Sequence, residues 1–247
     1  MNNLIIDQGN SKTKFFVINS QYKIIHKKKI NNTEKKRFNI LYKLMELNVS
    51  YAIYSSVSGL DKQIIKIIQD LDFHIIFNHT TPIPIQNLYE TKHSLGTDRL
   101  AGAIGANYLF PQTNLLVIDI GTAITYDFVD EKNRFLGGNI SPGPLLRFRA
   151  LHDYTKKLPF VNISMPQNFI AKNTKDAILN GVIWGIKAEI IDFIAQAKKK
   201  YPQIKPILTG GYAYFFGKIF KNYIFVNNYL VPLGLNHVLE FNKKINL

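Results

Sequence analysis

Residues 4–18 read LIIDQGNSKTKFFVI, an apolar run that ends at an aspartate and continues through a short polar stretch into a second apolar run. Two apolar runs joined by a glycine-containing turn predict a β-hairpin. A hairpin needs only turn residues between its strands. The carboxylate of Asp7 at the end of a buried strand therefore needs a separate explanation. Two explanations are open at this point: Asp7 caps the turn, or it holds a cation beside a bound ligand.

The same pattern returns in the second half of the chain. Residues 116–130 read LVIDIGTAITYDFVD, in which Asp119 follows Asp7 by 112 positions and Gly121 follows Gly9 by the same distance. The two stretches align without a gap, and similar residues coincide over most of their length. An internal repeat of this kind predicts a duplicated domain.

The turn chemistry of both copies suits a nucleotide. A glycine lets a ligand approach the backbone closely, and exposed backbone N–H groups in such a turn can cradle phosphate oxygens. The aspartate at the strand end can hold a cation directly or through water. Two such turns facing each other across a cleft would clamp a nucleotide. Because the pattern occurs twice in register, we favour this interpretation over a turn cap in each copy.

Strand and helix patterns alternate through both halves, which predicts an α/β protein. The repeat indicates an N-terminal domain at 1–112 and a C-terminal domain at 113–247. We expect Thr97 to be the N-cap of its helix, and Asn173 or Thr174 to cap the longest helix. The predicted strands are 3–8, 13–18, 22–28, 51–57, 73–78, 115–120, 124–130 and 134–140, and the stretch 205–213 is a strand that runs into a Gly-Gly turn. The predicted helices are 33–47, 61–71, 97–110, 144–158 and 174–201.

Composition limits the classes of function. The 247 residues are 46% hydrophobic, which is enough for one large domain or two modest ones. The chain has no cysteine, so disulfides, thiolate metal sites and cysteine nucleophiles are excluded. We find no signal peptide and no apolar run of about 18 residues. The expectation is therefore a cytoplasmic, soluble protein.

The formal charge of +14 introduces a nucleic-acid binder as an alternative. Short basic clusters occur at 27–29, 35–37 and 198–200, but the other lysines are spread along the chain and do not interleave with aromatic residues. This distribution is typical of a lysine-rich surface, so we expect no nucleic-acid partner. A positive field would still favour the approach of anionic small molecules.

Five motifs in a fixed order resemble those of the type III pantothenate kinases, and the resemblance covers nearly the whole chain. They are DQGNSKTKF (7–15), GTDR (96–99), DIGTAIT (119–125), GGNISPG (137–143) and TGG (209–211). The resemblance implies two duplicated ribonuclease H-like domains of the actin-like ATPase type, with mixed sheets flanked by helices and a cleft between the domains. It implies that ATP phosphorylates pantothenate in the first step of coenzyme A biosynthesis. It further implies Mg²⁺, a monovalent cation (K⁺ or NH₄⁺), a homodimer and no membrane partner.

The resemblance also implies a set of nucleotide contacts. Asp7 would position Mg²⁺ through water, and Thr122 would contact ATP together with the first turn. Ser11 replaces the threonine that is usual in the family and keeps its hydroxyl, whereas Gln8 stands where an apolar residue is common and has an open role. The implied ATP-binding residues are Asp7, Gln8, Gly9, Asn10, Ser11, Lys12, Thr13, Lys14 and Thr122.

The GTDR motif supplies the implied chemistry of transfer. Asp98 matches the general base, which would accept the proton of the acceptor hydroxyl, and Arg99 suits a bidentate pair with the pantothenate carboxylate. Taken alone, the two residues would be interpreted as a helix-start acid and a surface arginine. Asp119 matches the ligand of the monovalent cation. The implied substrate-binding residues are Tyr89, Gly96, Thr97, Asp98, Arg99 and Thr174.

Three other functions stay open beside this kinase. One is a catalytically silent regulatory or binding protein on the same scaffold, although Asp7, Asp98 and Asp119 are all retained. The second is a kinase of another small hydroxy acid, and the third is the nucleic-acid binder. A P-loop kinase is excluded because no GxxxxGK[ST] motif occurs. Near the C-terminus the chain has Asn227 and Asn228 where the family often has an acid.

Overall fold

Strands and helices alternate along the chain, as the sequence pattern predicts. The computed structural model describes residues 1–221 and 223–246. The strands are β1 (Asn2–Gln8), β2 (Lys12–Ile18), β3 (Ile24–Asn31), β4 (Val49–Ser56), β5 (Phe73–Ile76), β6 (Gln86–Asn87), β7 (Leu115–Ile120), β8 (Ala123–Val129), β9 (Arg134–Pro142), β10 (Lys205–Thr209) and β11 (Phe225–Val226). The helices are α1 (Lys36–Met45), α2 (Lys62–Ile68), α3 (Thr97–Leu109), α4 (Pro144–Asp153), α5 (Thr174–Lys200), α6 (Ala213–Ile219) and α7 (Leu230–Asn246).

The contacts within the chain define two units. Unit 1 consists of Met1–Gln112, Lys132–Leu136 and Tyr229–Leu247, and unit 2 of Thr113–Glu131 and Gly137–Asn228. The first boundary between the units follows residue 112, and the C-terminal helix α7 groups with the N-terminal part of the chain. The domains 1–112 and 113–247 stay a prediction.

The sheet of unit 1 has the order β3-β2-β1-β4-β5, in which β1 to β3 are antiparallel and β4 runs parallel to β1. Alternate residues of a strand point to opposite faces, and β1 is buried on both. Leu4 and Ile6 lie in a core cluster with apolar residues of α1 and α2. On the other face, Asn3 donates from Nδ2 to Oδ1 of Asn236 in α7 (2.8 Å). Asp7 shares the face of Asn3.

Helices α3 and α7 contact each other backbone to backbone. A Cβ at Gly105 would lie 2.0 Å from the carbonyl oxygen of Leu230, and a Cβ at Gly234 would lie 1.8 Å from that of Ala101. Only glycine permits this approach. Helix α7 therefore fixes the position of α3, whose first turn carries Asp98.

The second sheet has the order β11-β10-β7-β8-β9-β6, with β7 antiparallel to β8 and parallel to β10. Its core cluster includes Ile118 of β7 and Ile183 of α5. The ring of Tyr126 in β8 stacks on Phe193 of α5 with 3.8 Å between centroids. Helix α5 thus covers one face of this sheet. Both sheets are mixed and have helices against them, so the predicted α/β class is confirmed.

Several helix boundaries differ from the sequence patterns. The predicted helix 33–47 is shorter at both ends (Lys36–Met45), and the predicted helix 61–71 ends at Ile68. Thr97 is not the N-cap of α3: Gly96 holds that position, and the Thr97 hydroxyl instead accepts a hydrogen bond from Ser55 (2.8 Å). The predicted helix 144–158 already ends at Asp153. Helices α6 and α7 are not indicated by the sequence pattern. No helix within residues 1–221 and 223–246 combines the length and apolarity of a membrane span.

The predicted strand within 205–213, which runs into a Gly-Gly turn, is confirmed. It ends at Thr209, because Gly210 adopts a φ of 94° that turns the chain out of the sheet. Helix α6 then begins at Ala213. The Gly-Gly turn of the TGG motif therefore lies at the carboxyl end of β10, next to the end of the parallel strand β7.

Candidate active site

The hairpin β1–β2 places a buried carboxylate at its closed end. Asp7 is 5% exposed and pairs in register with Lys14 on the antiparallel neighbour. The Lys14 Nζ lies 2.8 Å from Asp7 Oδ2. A carboxylate that leaves water needs a partner of this kind. The predicted acid of the first motif is therefore held rigidly by its own hairpin.

The turn between β1 and β2 is braced by a residue that the motif does not contain. The Gly9 N–H donates to the Lys12 carbonyl (3.0 Å), which closes the turn. Asn32, just after β3, donates from Nδ2 to the Gly9 carbonyl (2.8 Å) and accepts from the Thr13 hydroxyl (2.8 Å). Sequence reasoning missed Asn32. A lone asparagine after a strand carries no signal of such a contact.

The sequence leaves the role of Gln8 open. In the structure its side chain makes hydrogen bonds that stabilise the fold. Its Nε2 donates to Ser58 Oγ and to the Gly59 carbonyl, both at 3.1 Å. Its Oε1 accepts from the Tyr54 hydroxyl at 2.6 Å. The side chain is 7% exposed and ties the end of β1 to the loop after β4. An apolar residue at this position would leave the Tyr54 hydroxyl without that acceptor.

Asp98 lies in the first turn of α3, where its Oδ1 accepts a hydrogen bond from the Arg99 N–H (2.8 Å). Burial raises the pKa of Asp98, the bond from Arg99 lowers it, and the negative charge of Asp7 raises it again. The positive charge of Lys14 also acts on Asp98. The structure thus brings together the acids of the first and second motifs.

The space for the Asp98 carboxylate comes from the glycine of the GTDR motif. A Cβ at Gly96 would lie 2.7 Å from Asp98 Oδ1. An alanine there would push the carboxylate aside without touching backbone. The residue type at position 96 therefore controls where the proposed base points.

Ser55 is a second residue that sequence reasoning missed. It stands beside Asp7 in the parallel pairing of β1 and β4, is 1% exposed, and donates from Oγ to the Thr97 hydroxyl (2.8 Å). It links the end of the sheet to the start of α3. A signal existed in the sequence, because parallel strands end at one edge and YAIYSSV ends in small polar residues.

Arg99 and Tyr89, both expected at the substrate, lie together in unit 1. The Arg99 guanidinium is 5.7 Å from the centroid of the Tyr89 ring, and Arg99 is 8% exposed. The Tyr89 ring lies 6.2 Å from that of Phe135. A planar guanidinium held against an aromatic ring is pre-oriented for bidentate binding of a carboxylate.

The second hairpin, β7–β8 of unit 2, likewise carries an aspartate near the end of its first strand. Asp119 pairs in register with Thr125 of β8 and with Thr209 of β10. Glycine is required at position 210, because a Cβ there would lie 2.2 Å from Asp119 Oδ1 and 2.8 Å from the Ile120 backbone. A Cβ at Gly121 would lie 3.3 Å from the same oxygen, which is a tight contact. The TGG motif thus provides space for the carboxylate of the DIGTAIT motif.

Gly143, the third glycine of GGNISPG, packs against the turn that carries the exposed residue Thr122. The Gly143 N–H donates to the Thr122 carbonyl at 3.0 Å. A Cβ at Gly143 would lie 2.3 Å from the Gly121 carbonyl oxygen and 2.4 Å from that of Thr122. The motif therefore fixes the turn that we expect to meet ATP.

Thr174 is the first residue of α5, in unit 2, whereas Tyr89 and Arg99 belong to unit 1. The cap is Asn173, whose side chain accepts from the Asp176 N–H (3.0 Å), and Thr174 is exposed. Beside this helix start lies a cavity of about 220 Å³, which Asp176 helps to line. Its other lining residues include Met165, Asn168, Lys172, Leu179 and Asn180.

Within residues 1–221 and 223–246, no group of three or more histidines and acids is arranged to hold a metal ion. A site of one carboxylate still fits Mg²⁺, which is commonly bound through one or two carboxylates with substrate phosphates and water. The rigidly held oxygens of Asp7 meet that description. Asp119 offers a carboxylate of the same kind to a second cation.

Comparison with solved structures defines the class of protein. The chain is similar to a conserved Baf family protein from Campylobacter jejuni (TM-score 0.63, 22% identity, 98% of this chain and 99% of that one). It is also similar to a candidate N-acetylmannosamine kinase, Lmo2764, from Listeria monocytogenes (TM-score 0.56, 12% identity, 98% and 100%). A third is the activator of 2-hydroxyisocaproyl-CoA dehydratase from Clostridium difficile, solved with ADPNP (TM-score 0.52, 13% identity, 100% and 99%). The fold is that of the sugar kinases and actin-like ATPases.

Sequence comparison defines the family. Residues 3–196 match the profile described as type III pantothenate kinase. A protein of that name from Phocaeicola vulgatus is 38% identical over 98% of this chain and 100% of its own length. One from Porphyromonas gingivalis W83 is 41% identical over 97% and 98%. The chain belongs to the type III pantothenate kinase family, which confirms the resemblance of its five motifs. It is a kinase, and its fold implies the use of ATP and a divalent metal ion.

Proposed function

We propose that this protein phosphorylates pantothenate with ATP to give 4'-phosphopantothenate, the first step of coenzyme A biosynthesis. The observation that carries the proposal is the grouping in unit 1 of a base, an acid for the metal and a cation, in a chain of this family. Asp98 lies within the electrostatic reach of both Asp7 and Lys14. These are the parts that direct phosphoryl transfer requires.

The nucleotide is assigned to the two hairpin turns. The backbone from Gly9 to Lys14 would meet the phosphates, and the family resemblance also supports Thr122 as an ATP contact. Asp7 would hold Mg²⁺ through water, and the ion would neutralise phosphate charge when bound. Lys14 keeps the Asp7 carboxylate in place (2.8 Å) and adds a positive charge beside the phosphates.

Asp98 is the proposed general base. In phosphoryl transfer the acceptor oxygen must lie in line with the γ-phosphate, and a carboxylate within hydrogen-bond reach accepts its proton. Because burial raises the pKa of Asp98, its carboxylate is a stronger proton acceptor than one in water. The Arg99 N–H fixes one carboxylate oxygen (2.8 Å), which leaves the other for the hydroxyl.

The acceptor's carboxylate is assigned to Arg99, with Tyr89 behind the guanidinium. Gly96 and Thr97 would border the acceptor through their place at the start of α3, and Thr174 is proposed as a further contact. Asp119 is proposed to hold the monovalent cation, K⁺ or NH₄⁺. The family resemblance supports a homodimer in the cytoplasm. Light scattering after size-exclusion chromatography measures the subunit number.

The test is release of ADP from ATP by the purified protein with and without pantothenate, first in KCl and then in NaCl. Pantothenate-dependent release that requires K⁺ is the expected result. Pantothenyl alcohol, which has the same hydroxyl and no carboxylate, is the matched acceptor for Arg99. The Arg99→Ala variant should lose activity with pantothenate and keep that with the alcohol. Release with another hydroxy acid alone, or ATP binding without any release, would contradict the proposal.

A further inference from the structure

The basic cluster at 27–29 lies on the edge strand β3, and its members point to different sides of the sheet. The antiparallel register sets Lys29 opposite Lys14 and Lys28 opposite Phe15. Directly opposed residues share a face, and successive residues alternate. Lys29 therefore lies on the face of Lys14, and Lys28 points the other way. The sequence cluster is not a single surface.

Lys29 continues a row of polar residues that crosses the sheet of unit 1. In register from β4 to β3, the row consists of Ser55, Asp7, Lys14 and Lys29. The Asp7 carboxylate already pairs with Lys14 at 2.8 Å. Lysines directly opposed on neighbouring strands repel each other. The strand pairing thus places a second cation beside Lys14 at some loss of stability.

Lys12 is a third lysine whose charge acts near Lys14 and Lys29. Burial lowers the pKa of Lys29 most, and the positive charges of Lys12 and Lys14 lower it further, whereas the charge of Asp7 raises it. Lys12 and Lys14 are two positions apart on β2 and so share a face. The charges of Lys12 and Lys14 therefore both act on Lys29, and the three lysines share the face of the sheet beside the Gly9 turn.

The other lysine of this face has a different neighbour. The Lys27 Nζ donates to the Tyr229 hydroxyl at 2.8 Å and lies 5.3 Å from the centroid of its ring. Tyr229 also contacts Phe16, edge to face, with 6.4 Å between centroids. Lys27 is therefore drawn towards the start of α7, and Lys29 is the member of the cluster nearest to the turn.

We propose that Lys29 is a further ATP-binding residue, which contacts the phosphate groups together with Lys12 and Lys14. Three converging ammonium groups beside a turn suit a polyphosphate anion, whose charge would cancel their repulsion. Lysine binds phosphate as a point charge, so an exposed side chain on an edge strand can reach it. The inference rests on the proposed function, because it adds a residue to the same nucleotide site.

The test compares Lys29→Gln with Lys28→Gln, a matched variant of the neighbouring residue on the opposite face. Both changes remove one charge from an exposed position of the same strand. Calorimetric titration with Mg-ATP measures binding without turnover. We expect Lys29→Gln to raise Kd about 3- to 10-fold and to flatten its dependence on salt, and Lys28→Gln to change it less than about 2-fold.

A melting experiment separates a binding role from a structural one. Removal of Lys29 relieves repulsion from Lys14, so Tm of the ligand-free protein should be equal to or higher than that of the wild type. Weaker ATP binding with undiminished Tm would support the inference. Equal Kd values for Lys29→Gln and Lys28→Gln, or weaker binding that follows a fall in Tm, would overturn it.

The two proposals fail in different ways. A wild-type protein that binds Mg-ATP and does not phosphorylate pantothenate would contradict the proposed function and leave the Lys29 comparison valid. A wild type that phosphorylates pantothenate, with a Lys29→Gln variant that binds ATP equally well, would contradict the Lys29 assignment alone. A wild type that does not bind Mg-ATP would overturn both.

Discussion

The two hairpins that repeat the Asp-x-Gly pattern differ by one residue in their turns. In unit 1, Gln8 pairs with Thr13, and residues 9–12 form the turn. In unit 2, Ile120 pairs with Ile124, and the turn is shorter, at 121–123. The residue opposite Asp7 is consequently a lysine, whereas the residue opposite Asp119 is a threonine.

This difference assigns the two acids different surroundings. The cross-strand cation of unit 1 holds Asp7 as half of an ion pair, 2.8 Å from Lys14 Nζ. In unit 2 the register sets a neutral residue, Thr125, opposite Asp119, and the Thr125 hydroxyl donates to Asp127 (3.0 Å). The ungapped sequence alignment equates Thr13 with Thr125, but the structure places them on opposite faces, because a slip of one residue reverses the direction of side chains. A repeated motif therefore does not imply a repeated role.

The largest effect is expected at Asp98, to which both Asp7 and Lys14 are coupled. Asp98→Asn should lower kcat by about 100-fold or more, because general bases contribute that much, while KM for pantothenate changes little. Steady-state kinetics measure both. An unchanged kcat would remove Asp98 from the role of base.

The pH profile follows from the sign of the shift at Asp98. Since burial raises its pKa above the ordinary 3.8, the base should be lost on acidification at a higher pH than for an exposed aspartate. A raised folded pKa also means that the charged form destabilises the native state as pH rises. Asp98→Asn should therefore melt at an equal or higher temperature at neutral pH. A lower Tm would show that the carboxylate stabilises the fold.

The next effect separates the two hairpins directly. Asp7→Asn should weaken the response of the rate to Mg²⁺, and Asp119→Asn the response to K⁺, each by about 10- to 100-fold. Titration of each cation against each variant gives four curves. If both variants lose the same response, the two turns have one role and the difference in register has no functional meaning.

Glycine positions give a smaller effect that is also specific to one hairpin. Gly210→Ala sets a Cβ 2.2 Å from Asp119 Oδ1 and 2.8 Å from the Ile120 backbone, at a φ of 94°. We expect it to lower the free energy of unfolding by about 1–3 kcal/mol. Gly211→Ala is the control, because its Cβ would have no atom within 4 Å. Equal loss of stability in both variants would contradict the crowding at Asp119.

Gly96→Ala is the corresponding change beside Asp98. The nearest atom to its Cβ would be Asp98 Oδ1, at the movable end of the carboxylate 2.7 Å away, and the Arg99 side chain would be in ordinary contact at 3.8 Å. Turnover should fall while urea unfolding stays close to that of the wild type. Gly210→Ala and Gly96→Ala together thus distinguish a glycine that stabilises the fold from one that positions a side chain.

The fold could be predicted to the extent that its signals are local. Period-two runs around Asp7 and Asp119 with glycine turns indicated both hairpins, and the small residues at 97–110 indicated α3. Helix α7 was missed although Leu235, Val238 and Leu239 have helical spacing, because Pro232 and Gly234 locally argue against a helix. The glycine is explained only by its backbone contact with Ala101, which lies far away in the chain. No local pattern reports such a contact.

The candidate site shows the same limit. The motifs identified Asp7, Asp98 and Arg99, but their grouping depends on long-range elements such as the Ser55–Thr97 hydrogen bond at 2.8 Å. The register of the second hairpin was equally hidden. A turn shorter by one residue leaves the hydrophobic alternation of each strand intact, so only the pairing of the strands reveals it.

The smallest predicted effect tests the register itself. Lys14→Thr gives the first hairpin the cross-strand residue of the second and leaves the side chain of Asp7, 7% exposed, without its ammonium partner. Because the Lys14 side chain is 41% exposed, the pair is screened, and we expect a loss of about 1 kcal/mol in urea unfolding. Threonine favours strands more than lysine does, which opposes this loss. Lys28→Thr carries the same gain in strand preference at an exposed site on the other face, so the difference between the two variants isolates the ion pair.

That difference should shrink in 1 M salt, where the screening length falls to about 3 Å. If the variants unfold alike at low salt, the lysine opposite Asp7 contributes nothing to folding. Its place opposite Asp7 would then be explained by the ligand alone.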